Sequence, residues 1–124
     1  MQAVEQNSLN PNMKVSFRDK KLEELAYDER KCKRELGARR SSVFLFRLAQ
    51  LEAADNLEDL RHASGHWHEL TGNRKGEWAC NLDQPYRLVF TPQERPIQTD
   101  AHGRYLWIEI EGVEILEIVN YHGK

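Results

Sequence analysis

At 124 residues, with 40% hydrophobic and 31% charged residues, the chain can bury a sizeable core and reads as one soluble globular domain. A formal net charge of −2 excludes indiscriminate coating of nucleic acid, so any nucleic-acid function has to sit in a local basic pocket. No stretch approaches the roughly 18 apolar residues of a membrane helix, so no membrane partner is expected.

The opening "MQAVEQNSLNPNMK" lacks a basic segment followed by an apolar run. It is therefore not read as a secretory signal, and a cytoplasmic protein is expected. Its Gln, Asn, Ser and Pro content predicts a flexible lead-in over 1–13, with Met13 or Lys14 opening a single domain that runs from 14 to 124. "KVSF" (14–17) reads as a first strand. "DKKLEELAYDERKCKRELG" then reads as one helix, with Asp19 as N-cap, Glu23 in the first turns and Gly37 as the stop. Leu22, Leu25, Ala26, Cys32 and Leu36 fall near one face, with Glu29 the polar exception. "SSVFLFRLAQLEAAD" reads as a second helix capped by Ser41 or Ser42, with Phe44, Leu48, Leu51 and Ala54 inward; "NLEDLRHA" adds a helical turn capped by Asn56.

Beyond this point the period changes to two. "EWACNL" places Trp78, Cys80 and Leu82 on one side, and "YRLVF" places Tyr86, Leu88 and Phe90 opposite Arg87 and Val89. The segment 91–104, with two prolines and a glycine, reads as a long hairpin loop. "YLWIEI" and "VEILEIV" read as strands joined at Glu111–Gly112. The fold class is α+β: a small, mostly antiparallel sheet with the N-terminal helices packed on one face. Cys32 and Cys80 lie far apart, form no CxxC pattern and read as buried thiols.

Charge is uneven along the chain. From Lys14 to Arg40 there are ten Lys or Arg against six Asp or Glu, while the remainder is acidic. Of the five histidines, His62, His66 and His68 make the pattern H-x3-H-x-H, which raises a zinc site. No HExxH motif, CxxC pair or suitably spaced carboxylate accompanies it, so no metal or other cofactor is expected. RNA cleavage without a metal needs one group to take the 2′-OH proton, another to protonate the departing 5′-oxygen, and cations at the phosphate. His68 beside Arg74 and Lys75, Arg87 on a following strand, and the terminal "NYHGK" supply those chemical types. On residue types alone the same side chains also read as ordinary surface and turn positions.

"HELTGNRKGEWACNLDQPYRLVF" together with the terminal "EIVNYH" resembles the HigB family of bacterial toxins, within the wider RelE/ParE superfamily. "DKKLEEL", "RLAQLEAADNLEDL" and Leu70 to Gly72 support the resemblance, which spans about Lys14 to His122. It implies a RelE-like fold and a toxin that cuts messenger RNA on the translating ribosome without a metal. His68 stands at the position of the family's catalytic histidine, Tyr121 and His122 match its terminal Tyr-His pair, and Arg87 matches its phosphate-holding strand arginine. Arg74, Lys75 and Asn120 follow as substrate-binding positions. Asn120 replaces the family's usual aspartate, and Thr71 stands where lysine is common. The resemblance also implies a helix-turn-helix, HigA-like antitoxin as partner, for which the helical face around Lys20 to Arg40 offers charge and length for docking. Two other functions stay open beside the nuclease: a non-catalytic ParE-like toxin acting on DNA gyrase, and a degenerate member that only binds its antitoxin.

Overall fold

The structure is a computed structural model that describes residues 12–121. In chain order it runs β1 (Lys14–Phe17), α1 (Lys20–Tyr27), α2 (Glu29–Leu36), α3 (Ala38–Ala53), α4 (Leu57–Leu60), β2 (His68–Glu69), a 3₁₀ turn (Gly72–Arg74), β3 (Trp78–Asn81), β4 (Tyr86–Pro92), a second 3₁₀ turn (Trp107–Glu109) and β5 (Gly112–Asn120). Of the two residues expected to open the fold, Met13 is already in the core, its N–H donating to the Glu52 carbonyl.

Asp19 caps α1 as expected, accepting from the Leu22 N–H. The helix anticipated over 19–37 is, however, two helices. Asp28 adopts extended backbone, closes α1 by donating to the Glu24 carbonyl, and caps α2 by accepting from Lys31 N–H. An aspartate's short acceptor competes with helical hydrogen bonding and favours a cap over a helix interior. Gly37, at φ +89°, ends α2 and also precedes the first turn of α3. The second long helix thus begins at Ala38, not at Ser41 or Ser42. Ser41 is buried inside it and donates its hydroxyl proton to the Ala38 carbonyl. The stripe of Phe44, Leu48 and Leu51 is inward as read, and Asn56 caps α4.

The five strands form one sheet in the order β1-β5-β4-β3-β2. β1 pairs parallel with β5 and every other pair is antiparallel. The helix-covered face contributes Trp78, Cys80, Leu88, Phe90 and Ile115 to a single core with Leu22, Leu25, Cys32, Phe44, Leu48 and Leu51. Both cysteines are buried free thiols.

The reading of "YLWIEI" as a strand is overturned. Trp107 and Ile110 are buried while Ile108 is exposed, an inward spacing of three that a 3₁₀ turn satisfies and a strand does not. Trp107 is fixed by its Nε1–H donating to Glu69 at 3.0 Å. Only an isolated bridge, Thr99 with Tyr105, interrupts the long connection there. Thr91 and Pro92, read as loop, prolong β4.

Candidate functional site

One face of the sheet carries the helices. The other carries polar residues that the register sets in rows. His68 on β2 opposes Ala79, Ala79 opposes Val89, and Val89 opposes Glu117. In the next row Asn81 opposes Arg87, and Arg87 opposes Val119. Residues directly opposite in an antiparallel pair share a face, so His68, Asn81, Arg87 and Glu117 all project from the face away from the core. His68 and Val89 lie two strands apart, about 10 Å by ordinary strand spacing.

His68 is half-buried, and its Nδ1 lies 2.9 Å from the His66 carbonyl oxygen. The His66 ring packs on it with centroids 4.3 Å apart. His66 reaches this position through a left-handed backbone at φ +55°, next to Gly65 at φ +119°. His66 is itself exposed. The alternation His66-Trp67-His68, one apolar side chain between two imidazoles, was the available signal for a shared face. Among the described residues no group of three His, Cys, Asp or Glu is placed to hold a metal ion.

The Arg87 guanidinium carbon lies 3.9 Å from the centroid of the Tyr121 ring, which is 41% exposed. Tyr121 is held just beyond β5 by its N–H donating to the Pro85 carbonyl. The structure therefore gathers His68, Arg87 and Tyr121 on one face. His122 lies outside the described residues.

Of the other three candidates, Arg74 reaches the same face but is engaged there by carboxylates, and Lys75 and Asn120 lie elsewhere. Arg74 donates to Glu77 at 2.6 Å and to Glu117 at 2.8 Å. Its hydrogen bond to Glu77, ahead of that to Glu117, pushes the guanidinium pKa up. Lys75, the next residue, goes to the other side of β2. It lines a cleft of about 510 Å³ with Arg61, Glu69, Tyr105 and Trp107, its Nζ 5.5 Å from the Tyr105 ring centroid. His68 and Glu69 are successive strand residues and point to opposite faces, so the cleft floored by Glu69 is separate from the His68 face. Asn120 opposes Tyr86, on the side of the sheet away from Arg87. The basic turn thus does not converge as one cationic pocket. Glu117, on β5 and 43 residues away in the chain, takes up part of the Arg74 charge.

A family model described as the RelE-like toxin of the type II toxin–antitoxin system HigB matches residues 15–102. The chain belongs to this HigB-like toxin family. The matched span contains His68, Arg74, Lys75 and Arg87 and ends before Asn120 and Tyr121. A solved YoeB/ParE toxin from Agrobacterium tumefaciens is similar at 15% identity and a TM-score of 0.47, covering 86% of this chain and 95% of that one. No curated protein matches the chain. As a HigB-like member it is a RelE-like toxin of a type II toxin–antitoxin system, and its partner is a protein antitoxin. Among the described residues no helix is long and apolar enough to cross a membrane.

Proposed function

We propose that this HigB-like toxin is a metal-independent endonuclease acting on messenger RNA at the ribosome, and so a cytoplasmic inhibitor of translation. The observation that carries the reading is the shared face of His68 and Arg87, with Tyr121 stacked on the guanidinium. An imidazole able to move a proton near neutral pH, a cation with no carboxylate partner among the described residues, and an aromatic face together suit a phosphodiester between stacked bases.

In the reaction, one histidine takes the 2′-OH proton, and the 2′-oxygen forms a bond to phosphorus. The bond from phosphorus to the 5′-oxygen breaks, and the second histidine protonates that leaving oxygen. The products are a 2′,3′-cyclic phosphate and a 5′-hydroxyl. His68 and His122 share these two roles, Arg87 neutralises charge at the phosphate, and Tyr121 stacks on a base or orients the strand. Arg74 and Lys75 assist at flanking phosphates only if RNA draws Arg74 from its carboxylates, and Asn120 acts by orienting its neighbours.

The antitoxin is a helix-turn-helix, HigA-like protein, and its docking surface is the helical face between Lys20 and Arg40. Supporting this, Arg30, Lys33, Arg34 and Arg39 are exposed and make no ion pair among the described residues. Charge reversal at these four positions should abolish co-purification; retained binding would place the contact elsewhere.

The deciding experiment is controlled expression of wild type beside His68→Ala and His122→Ala, with bulk translation followed and mRNA 5′ ends mapped. New 5′ ends inside coding regions, lost in both variants, are the expected result. Growth arrest with intact mRNA and early DNA damage would replace the nuclease by a gyrase-directed binding toxin. No growth effect at any expression level would leave a member that only binds its antitoxin.

A further inference from the structure

Asn81 and Arg87 face each other across the β3–β4 hairpin and do not bond. Leu82 N–H donates to the Tyr86 carbonyl, which makes the neighbouring pair hydrogen-bonded. Asn81 and Arg87 are therefore a non-hydrogen-bonded pair, the type in which Cα atoms approach to about 4.5 Å and side chains lie closest. The backbone of Asn81 is tied on its other side: its N–H donates to the Gly65 carbonyl, and Arg47 Nε donates to its carbonyl at 2.7 Å. The side chain thus has a fixed root.

Its Oδ1 is buried and finds no hydrogen-bond donor among the described residues. Native proteins keep few such orphaned acceptors, and those they keep call for a physical reason. Five guanidinium N–H groups stand on the adjacent strand, turned onto the Tyr121 ring at 3.9 Å instead. Arg87 makes no ion pair and no side-chain hydrogen bond among the described residues, so two residues paired in register carry unused donors and an unused acceptor.

We propose that Asn81 is a positioning residue for Arg87, an inference that rests on the nuclease reading above. When an RNA phosphate arrives, it draws the guanidinium off Tyr121. The planar fork then presents one edge to two phosphate oxygens and another N–H to Asn81 Oδ1. The Tyr121 ring, at the exposed end of β5, is released to stack on a nucleobase. The free protein thereby holds Arg87 against an aromatic face, and the substrate exchanges that face for a bonded, oriented state. Asn81 touches no reacting atom; it acts through the guanidinium.

The test is a double-mutant cycle read as single-turnover cleavage of a translated reporter mRNA by wild type, Asn81→Ala, Arg87→Lys and the double variant. Asn81→Ala should slow cleavage about tenfold in the wild-type background, the scale of one charge-assisted hydrogen bond. In the Arg87→Lys background it should change the rate less than about twofold, because lysine has no fork for Asn81 to orient. The Tm of Asn81→Ala should equal or exceed that of wild type, since the substitution removes an orphaned acceptor. Equal losses in both backgrounds, or an undiminished rate for Asn81→Ala, overturn the Asn81 inference and leave the nuclease reading standing. An intact reporter with wild type overturns the nuclease reading, and the role of Asn81 falls with it.

Discussion

Arg74, at the end of the 3₁₀ turn after β2, donates to the Glu117 carboxylate on β5 at 2.8 Å and so ties the basic turn to a strand three places across the sheet from β2. Its second bond, to Glu77, leaves the guanidinium between two carboxylates. Arg87 has neither. The two arginines should accordingly separate in function. Arg74→Ala should lower stability by about 1 kcal/mol or less, since the pair is partly exposed and screened by solvent. It should slow mRNA cleavage less than about tenfold, whereas Arg87→Ala should slow it on the order of a hundredfold or more. Chemical denaturation and reporter cleavage measure the two effects. A larger cleavage defect for Arg74→Ala than for Arg87→Ala would reverse the assignment.

Gly65 sets the position of both imidazoles. It sits at φ +119°, and a Cβ there would lie 2.9 Å from Trp67 Nε1 and 3.0 Å from the Arg47 guanidinium. Arg47 cannot simply move aside, because it holds the Asn81 carbonyl and Gln50. Gly65→Ala therefore combines backbone strain with displacement of a bonded arginine, and should cost roughly 2–4 kcal/mol. Urea unfolding measures this. The imidazole resonances of His66 and His68 should shift together, because their rings are in contact. An unchanged midpoint would show that the turn relaxes without strain.

How much of this was legible depended on the range of the interaction. The Asn56 cap and the inward positions Phe44, Leu48 and Leu51 of α3 follow from local periodicity, whereas the start of α3 at Ala38 does not. The break at Asp28 was local too, but Leu25 and Cys32 keep one apolar face running through it, so pattern alone joined α1 to α2. The strand expected at "YLWIEI" failed because β-forming residue types there are used to anchor Trp107 to Glu69, a contact the sequence does not encode locally. For the site, alternation puts His68 on one face of its strand and Arg87 on one face of its own, and the order of the strands makes those faces the same. Register decided the rest. Nothing in the sequence announces that Glu117 meets Arg74, or that Lys75 is carried to the far side of β2.

Tyr121 offers Arg87 a ring face and not a hydroxyl. Tyr121→Phe should retain cleavage within about twofold, because both rings present a similar face to a cation or a base. Tyr121→Ala should lose about tenfold or more, the scale of a base stacked on an aromatic side chain. Neither change should alter the unfolding midpoint by much, as the ring is 41% exposed. Equal losses for Phe and Ala would assign the work to the hydroxyl and move Tyr121 from stacking to proton transfer.

The two cysteines predict how stability depends on pH. Cys80 is fully buried, and burial pushes its thiol far above the ordinary range; Cys32 is raised as well, by burial first and then by Glu29. A folded state that keeps its thiol proton while the unfolded chain loses it binds more protons, so stability falls as pH rises. The contribution is fully present below the unfolded thiol value of about 8.5 and is lost above it. Urea unfolding should give a constant stability from about pH 6 to 8, and a decline between about 9 and 10 approaching 1.4 kcal/mol per pH unit from Cys80, with Cys32 adding in the same direction. Cys80→Ala should flatten much of that decline while lowering stability at pH 7 through the lost packing. In the folded protein both thiols should resist iodoacetamide at pH 8 and react promptly in urea. Rapid alkylation of folded protein would mean that the core opens far more often than its burial implies.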